Sequence, residues 1–158
     1  MEHTAALIII ETLLRIALGL RFLYSGLSNV RRWPNPVRNA EIVFPFGTKF
    51  FGAVAVVLMV GGGVGLALGA ATRAAAAMIA LFLLPTLQIQ YYWLRTLPGI
   101  VEDVRGATAE AARPKFQLIA RHAYHSHETA WQANVLFMLM ALYFVARGSI
   151  AFGLDNLF

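Results

Sequence analysis

Three ionisable side chains interrupt an otherwise apolar stretch near the start of the chain. Glu11, Arg15 and Arg21 lie within residues 5–29, where most other residues are aliphatic or small. A charge in hydrocarbon costs at least ~2.5 kcal/mol, so each of these groups needs a partner or water. Glu11 and Arg15 are spaced for an ion pair on one helix face. Two interpretations remain open for this face: a self-neutralising pair, or a polar pocket for an anionic or quinone-like headgroup.

Arg21 lies deeper in the same stretch. Antiparallel threading of the apolar segments places it at the depth of Gln88, Gln132 and Asn134. An isolated guanidinium would be expelled from hydrocarbon, so we expect these four side chains to form one buried hydrogen-bonded layer. Both a structural role and a ligand site fit such a layer.

The densest group of titratable side chains is RHAYHSHE, which contains His122, His125, His127 and Glu128. Imidazoles and a carboxylate can bind a divalent metal, and histidine moves protons near neutral pH. The spacing matches no strong metal motif, because it cannot place all three rings on one helical face. We therefore predict a wet interfacial patch and no metal site. Glu128 also fits favourable charge placement near a helix N-terminus, or a role at a headgroup.

A glycine stripe suggests how the helices pack. Gly61, Gly65 and Gly69 recur every fourth residue, so their bare backbones share one helix face and permit close approach of a neighbour. The alanine-rich segment 74–77 is the expected partner surface.

The elements that position these residues are long apolar helices. Uncharged runs on either side of Arg73 each exceed the ~20 residues needed to cross hydrocarbon. We predict an all-α, four-transmembrane-helix antiparallel bundle that forms a single integral membrane domain over residues 1–158. The predicted spans are residues 5–29, 50–70, 73–94 and 127–147.

The loops between the spans differ in character. The connector after the first span is rich in proline and is expected to be extended or partly re-entrant. After the third span, PGIVEDVRG (residues 98–106) is expected to form a turn. The segment from Pro114 is expected to form an interfacial helix leading into the fourth span.

Composition excludes several classes of function. The chain is 59% hydrophobic with a formal net charge of +5, but its basic residues are scattered around apolar segments, which argues against nucleic-acid binding. It contains no cysteine, so it holds no disulfide, iron–sulfur cluster or thiolate zinc site of its own. We expect membrane lipids as partners, together with a larger membrane complex or further copies of this chain.

The basic residues also predict an orientation. The connectors after the first and third spans contain most of them: Arg31, Arg32, Arg38, Lys49, Arg95, Arg105, Arg113, Lys115 and Arg121. The opposite side has Arg73 and Arg147. By the positive-inside rule, these two connectors are cytoplasmic and both termini face outward.

Three stretches resemble the hallmarks of the DoxX family: RIALGLRFLYSGLSNV, GGGVGLALGAATR and GSIAFGLDNLF. The matching residues are Arg15, Gly19, Phe22 and Gly26 in the first; Gly62, Gly63, Gly69, Thr72 and Arg73 in the second; and Gly148, Gly153, Leu154 and Asp155 in the third. The resemblance implies a four-helix protein of the prokaryotic plasma membrane, related to subunits of quinol oxidase and thiosulfate:quinone oxidoreductase. Where many relatives carry a glutamate before the glycine pair, this chain has Met59.

Three functions follow as hypotheses. The first is an accessory subunit of a larger membrane electron-transfer complex that contributes lipid or quinone contacts, brings no redox cofactor and performs no catalysis. The second is an oxidoreductase subunit that binds a quinone itself, with Glu11, Arg15, Arg21 and Glu128 orienting its headgroup or relaying protons. The third is an oligomeric conduit for protons or small solutes, since four helices enclose little volume.

Overall fold

The fold is built from helices alone over the part of the chain that the computed structural model describes, residues 2–157, with side chains from residue 5. The helices are α1 (Glu2–Arg31), α2 (Asn35–Glu41), α3 (Thr48–Leu68), α4 (Thr72–Ala107) and α5 (Arg113–Arg147). Single 3₁₀ turns lie at Glu110–Ala112 and Leu154–Asn156. The all-α prediction is confirmed for these residues. Met1 and Phe158, the ends of the predicted single domain, lie outside them.

The long helices pack in chain order, each antiparallel to the next. Gly19 of α1 lies against Gly63 of α3, while Gly26 lies against Val60, so the two helices run in opposite directions. Gly62 of α3 contacts Ile79 of α4. His127 bonds to Gln90 between α5 and α4, and Arg73 lies at Gly148 near their other ends.

Three helices of the described residues are long and apolar enough to cross a membrane: α3, α4 and the helical segment containing α5. Helix α1 is less apolar because it contains Glu11, Arg15 and Arg21. The chain is therefore a membrane protein with at least three candidate spans, and a fourth span by α1 remains a prediction.

The expected turn over residues 98–106 is wrong. Helix α4 continues through Pro98 and Gly99 to Ala107, and the chain reverses only afterwards, before α5 begins at Arg113. Pro98 lies inside this helix although its ring removes one main-chain hydrogen bond and crowds the preceding turn. Pro114 stands in the first turn of α5, as expected, but the helix then runs without a break to Arg147. No separate interfacial helix is present in this described segment.

The connector after α1 is also more regular than expected. Helix α2 begins beside Pro36, a residue type that suits a first helical turn. Pro36, Val37 and Ala40 are buried, and Gly52 allows α3 to approach the backbone of α2, since a Cβ there would lie 3.0 Å from the Val37 nitrogen.

The core lies where α1, α3, α4 and α5 meet. Phe22 lies at its centre, and its ring is edge-on to two others, with centroids 5.9 Å from that of Phe82 and 5.7 Å from that of Phe137. Leu66, Ile79 and further buried aliphatic side chains surround these rings. Aromatic pairs of this geometry add about 0.5–1.5 kcal/mol beyond burial of their area.

Candidate functional site

Arg15 is the most deeply buried ionisable residue among the described side chains, at 1% exposure. Its guanidinium Nη1 donates to the Leu66 carbonyl at 2.6 Å and Nη2 donates to the Phe152 carbonyl at 2.8 Å. The Leu66 carbonyl lies in the last turn of α3, where it accepts the Gly69 N–H at 3.2 Å and still has a lone pair for Arg15. Arg15 thus joins α1 to the end of α3 and to the C-terminal segment.

Asp155 holds the start of α4. Its carboxylate accepts the Ala71 N–H at 2.6 Å and the Thr72 N–H at 2.8 Å, while its own N–H donates to the Gly69 carbonyl at 2.8 Å. Partial burial raises the pKa of Asp155, but the donors of Thr72 and Ala71 and the charge of Arg15 lower it by more. The pKa of Asp155 therefore lies below its ordinary value.

Gly69 and Gly153 bring these groups together. Gly69 ends α3 with φ +64°, a backbone conformation that favours glycine. A Cβ on Gly69 would collide with Arg15 and would lie 2.6 Å from the Gly153 Cα. Residues from all three stretches of the family resemblance thus meet at one point, which we call the turn junction: Arg15, Leu66, Gly69, Thr72, Phe152, Gly153 and Asp155.

Glu11 does not form the expected ion pair with Arg15 among the described side chains. The Arg15 guanidinium instead donates hydrogen bonds to two main-chain carbonyls, so neither of its partners is a charged group. Glu11 Oε1 is buried and has no hydrogen-bond partner in the described part of the chain. Tyr143 of α5 lies near Glu11, and Arg147 lies near Tyr143.

The expected buried layer around Arg21 is also wrong. Arg21 is exposed and donates to the Ser25 hydroxyl one turn further along α1, while Gln88 and Gln132 are exposed and Asn134 is half-buried. The register explains the error. The contacts of Gly63 with Gly19 and of Gly62 with Ile79 place Arg21 near the level of Ile79. Gln88 is nine residues further along α4, about 13 Å at 1.5 Å per residue.

The histidines separate into two contacts. His127 Nδ1 lies 2.7 Å from the Gln90 Oε1, and its ring stacks on Trp93. His125 Nδ1 lies 3.2 Å from Glu128 Oε2 on the exposed side of α5. Over the described residues, no group of three or more histidine, cysteine or acidic side chains is placed to hold a metal ion, and His122 joins neither contact.

The three glycines of the stripe on α3 contact two different parts of the structure. A Cβ on Gly61 would meet the Met78 side chain, and one on Gly65 would meet Ala75, so both positions face α4 and Gly65 meets the alanine-rich segment. Gly69 belongs to the turn junction instead.

An apolar cavity of about 300 Å³ lies towards the other ends of the helices, between α2, α3, α4 and the end of α1. Its walls are mainly aliphatic and aromatic: Phe44, Phe51, Val54, Ala55, Leu58, Leu81, Phe82, Leu84 and Ile89. Its polar lining residues are Asn29, Asn39, Thr86 and Gln90. Pro85 of α4 lies in the same wall.

None of the predicted ligand-binding residues lines this cavity: Glu11, Arg15, Arg21, Gln88, Gln132, Asn134 and Glu128 all lie elsewhere in the described structure. Sequence reasoning chose the charged residues and three other amides, and it missed Gln90 and Asn39. Gln88 and Gln90 both follow Pro85 within the same apolar segment, so the sequence signal for a polar residue at this level existed but could not separate the two.

Comparison with known protein families finds a match over the first part of the chain. The family model for DoxX matches residues 10–92, which include Arg15, Gly69 and Thr72 and cover more than half of the chain. No curated protein and no solved structure matches the chain. On the family match, this membrane protein belongs to the DoxX family.

Proposed function

We propose that this chain is an accessory subunit of a membrane electron-transfer complex, and that its apolar cavity holds a quinone or another lipid with a hydrogen-bonding head. The observation that carries the proposal is the cavity of about 300 Å³ between α2, α3 and α4. Sites for small molecules typically start at about this volume and combine mostly apolar walls with a few polar groups.

The residues that line the cavity are of two chemical kinds, apolar and polar. Leu58, Leu81 and Phe82 offer an apolar surface to a hydrocarbon tail. Gln90 offers a hydrogen-bonding group to a head. Its amide oxygen can only accept, so the nearby His127 Nδ1 carries the proton of their hydrogen bond, and the amide NH₂ remains available to donate to a ligand carbonyl.

The accessory role rests on the sequence and on helix length. The chain has no thiol to hold a redox cluster, so electrons for a bound quinone would come from a partner. Helices α4 and α5 contain 36 and 35 residues and are each over 50 Å long at about 1.5 Å per residue, whereas hydrocarbon is about 30 Å thick. Their joined ends therefore extend beyond the membrane core and offer a surface to that partner.

Blocking the cavity tests the ligand. Ala55→Trp places an indole in the cavity wall, whereas Ala53→Trp makes the same change at an exposed position of α3. We expect the Ala55 variant purified in mild detergent to retain at least tenfold less extractable quinone or lipid than the Ala53 variant. Equal retention by the two variants would contradict the proposal.

A second pair of variants tests the head. Gln90→Leu removes the amide at the cavity, and Gln88→Leu removes an exposed amide on the same helix. We expect only the Gln90 variant to lose the bound molecule. The opposite result would restore Gln88 as the ligand-binding residue and exclude this cavity.

Direct participation in quinone reduction is the alternative function, and the His127–Gln90 contact beside the cavity favours it, because a histidine there could supply a proton. Purification from native membranes separates the two functions. Larger subunits in fixed stoichiometry support the accessory role. A chain that purifies alone with extractable quinone and reduces it when given a soluble electron donor supports the enzyme.

A further inference from the structure

A second pocket, of about 390 Å³, lies between the start of α4 and the end of α5. It is lined by Thr72, Arg73, Arg147, Gly148, Ser149 and Asp155, among others. It is distinct from the apolar cavity, with which it shares no residue. What it does is independent of the function proposed above.

The pocket carries excess positive charge. Arg73 and Arg147 both line it, and neither forms a salt bridge with a described carboxylate. Gly148, at φ +76°, leaves room for the Arg73 side chain, since a Cβ there would lie 3.3 Å from Arg73 Nε. Asp155 also lines the pocket, but it lies near Arg15 as well, so its single negative charge cannot balance both Arg73 and Arg147.

Thr72 lies at the buried edge of the pocket, at 1% exposure. Its Oγ1 forms no hydrogen bond of ordinary geometry among the described residues, but it lies close enough to the Asp155 carboxylate to help lower the pKa of that group. The hydroxyl therefore has Asp155 as its neighbour, and the excess positive charge of the pocket comes from Arg73 and Arg147.

The position of the pocket fits a lipid headgroup. Arg73 lies in the first turn of α4 and Arg147 in the last turn of α5, so both stand at the ends of candidate spans, where headgroups lie. Leu139 and Leu142 are exposed on α5 below Arg147 and offer an apolar path to acyl chains. Arginine side chains close to a membrane surface attract anionic lipid headgroups by charge.

We propose that Arg73 and Arg147 form a binding site for a phosphate group, presented by an anionic phospholipid or by free phosphate. The two guanidinium groups donate charge-assisted hydrogen bonds to the phosphate oxygens.

The full-length protein in detergent tests this site with two probes. Phosphatidylglycerol and phosphatidylcholine are added separately, and bound lipid is counted by native mass spectrometry. Inorganic phosphate is titrated in a parallel measurement of thermal unfolding. Preference for phosphatidylglycerol by about tenfold, equivalent to one charge-assisted hydrogen bond, assigns the site to a lipid headgroup. Stabilisation by inorganic phosphate without lipid preference assigns it to free phosphate.

Variants locate the binding. Arg73→Gln and Arg147→Gln are expected to weaken binding of the preferred probe. Arg121→Gln, which changes an exposed arginine towards the other end of α5, is a matched control that should leave this binding unchanged. Should a glutamine variant fail to fold, the wild-type comparison of the probes still decides. Absence of any preference or stabilisation in the wild type, or an equal loss in Arg121→Gln, would overturn the proposal.

Discussion

Arg15 and Asp155 secure the same helix turn from distant segments of the chain. Arg15 donates to the Leu66 carbonyl at the end of α3, and Asp155 accepts the N–H groups of Ala71 and Thr72 at the start of α4. Arg15 therefore supplies a donor at one end of the turn between these helices, and Asp155 supplies acceptors at the other end. This arrangement gives Arg15 and Asp155, two charged residues of the DoxX resemblance, a structural role, and it leads to separate predictions for each of them.

Arg15→Met is expected to destabilise the protein strongly. The change removes two charge-assisted hydrogen bonds and leaves the Leu66 and Phe152 carbonyls without them. A loss of about 2–4 kcal/mol follows, which lowers Tm on the order of 10 °C. Thermal unfolding in detergent measures it. Arg21→Met is the control, because Arg21 is exposed and bonds only to Ser25 on its own helix. An equal drop in Tm in both variants would show that the buried hydrogen bonds of Arg15 stabilise the protein no more than the exposed contact of Arg21 does.

Asp155→Ala is expected to weaken the start of α4. The carboxylate caps two N–H groups there, and loss of a helix cap costs about 1 kcal/mol. Hydrogen exchange at the N–H groups of Ala71 and Thr72 should accelerate, since these donors lose their acceptor. Asp103→Ala, on the exposed surface of α4, should leave exchange at this turn unchanged. Unaltered exchange in the Asp155 variant would contradict the capping role.

The same carboxylate predicts a pH dependence. The pKa of Asp155 is lower in the folded protein, so its ionised form stabilises the fold. This contribution is fully present above the unfolded pKa of about 3.9 and is lost as pH falls through the lower folded pKa. The difference in Tm between wild type and Asp155→Asn should therefore persist at neutral pH and shrink below about pH 4. A difference that grows towards low pH has the wrong sign for this mechanism.

The inward face of α1 could be predicted from the sequence, and the partners of that face could not. Helical periodicity places Arg15, Leu18, Phe22 and Gly26 on one side, and all four are buried. Periodicity describes side chains on one helix, however, and Arg15 bonds to main-chain carbonyls that become available only where α3 ends and where the segment at Phe152 folds back. Reasoning that paired charges with charges therefore chose Glu11.

The register of the helices relative to one another also could not be predicted from the sequence. Counting residues from span ends placed Arg21 level with Gln88, but the close crossing of α1 and α3 at Gly19 and Gly63 shifts it towards Ile79. Span lengths constrain such crossings only loosely, because α4 extends well beyond hydrocarbon thickness. The cavity was missed for the same reason, since its lining depends on which levels of α3 and α4 face each other.

The crossing of α1 and α3 predicts unequal effects for two glycines of α3. A Cβ on Gly63 would lie 2.6 Å from the Leu23 nitrogen, so Gly63→Ala must move the backbone of α1, at a cost of about 1–3 kcal/mol. A Cβ on Gly61 would meet only the flexible end of Met78, so Gly61→Ala should cost much less. Thermal unfolding of both variants measures the difference. Similar losses would mean that α1 does not cross α3 at Gly63.

The continuous helix through residues 98–106 predicts a stabilising substitution. Gly99 lies inside α4, and a Cβ there would meet nothing within 4 Å. Gly99→Ala therefore adds helix propensity without a clash and should stabilise the protein by about 0.5–1 kcal/mol. Gly47→Ala is the opposing control, because Gly47 has φ +64° and alanine would be strained there. Thermal unfolding should move upward for Gly99 and downward for Gly47. A loss of stability at Gly99 would instead support a turn at PGIVEDVRG, because alanine gains nothing where the chain leaves the helix.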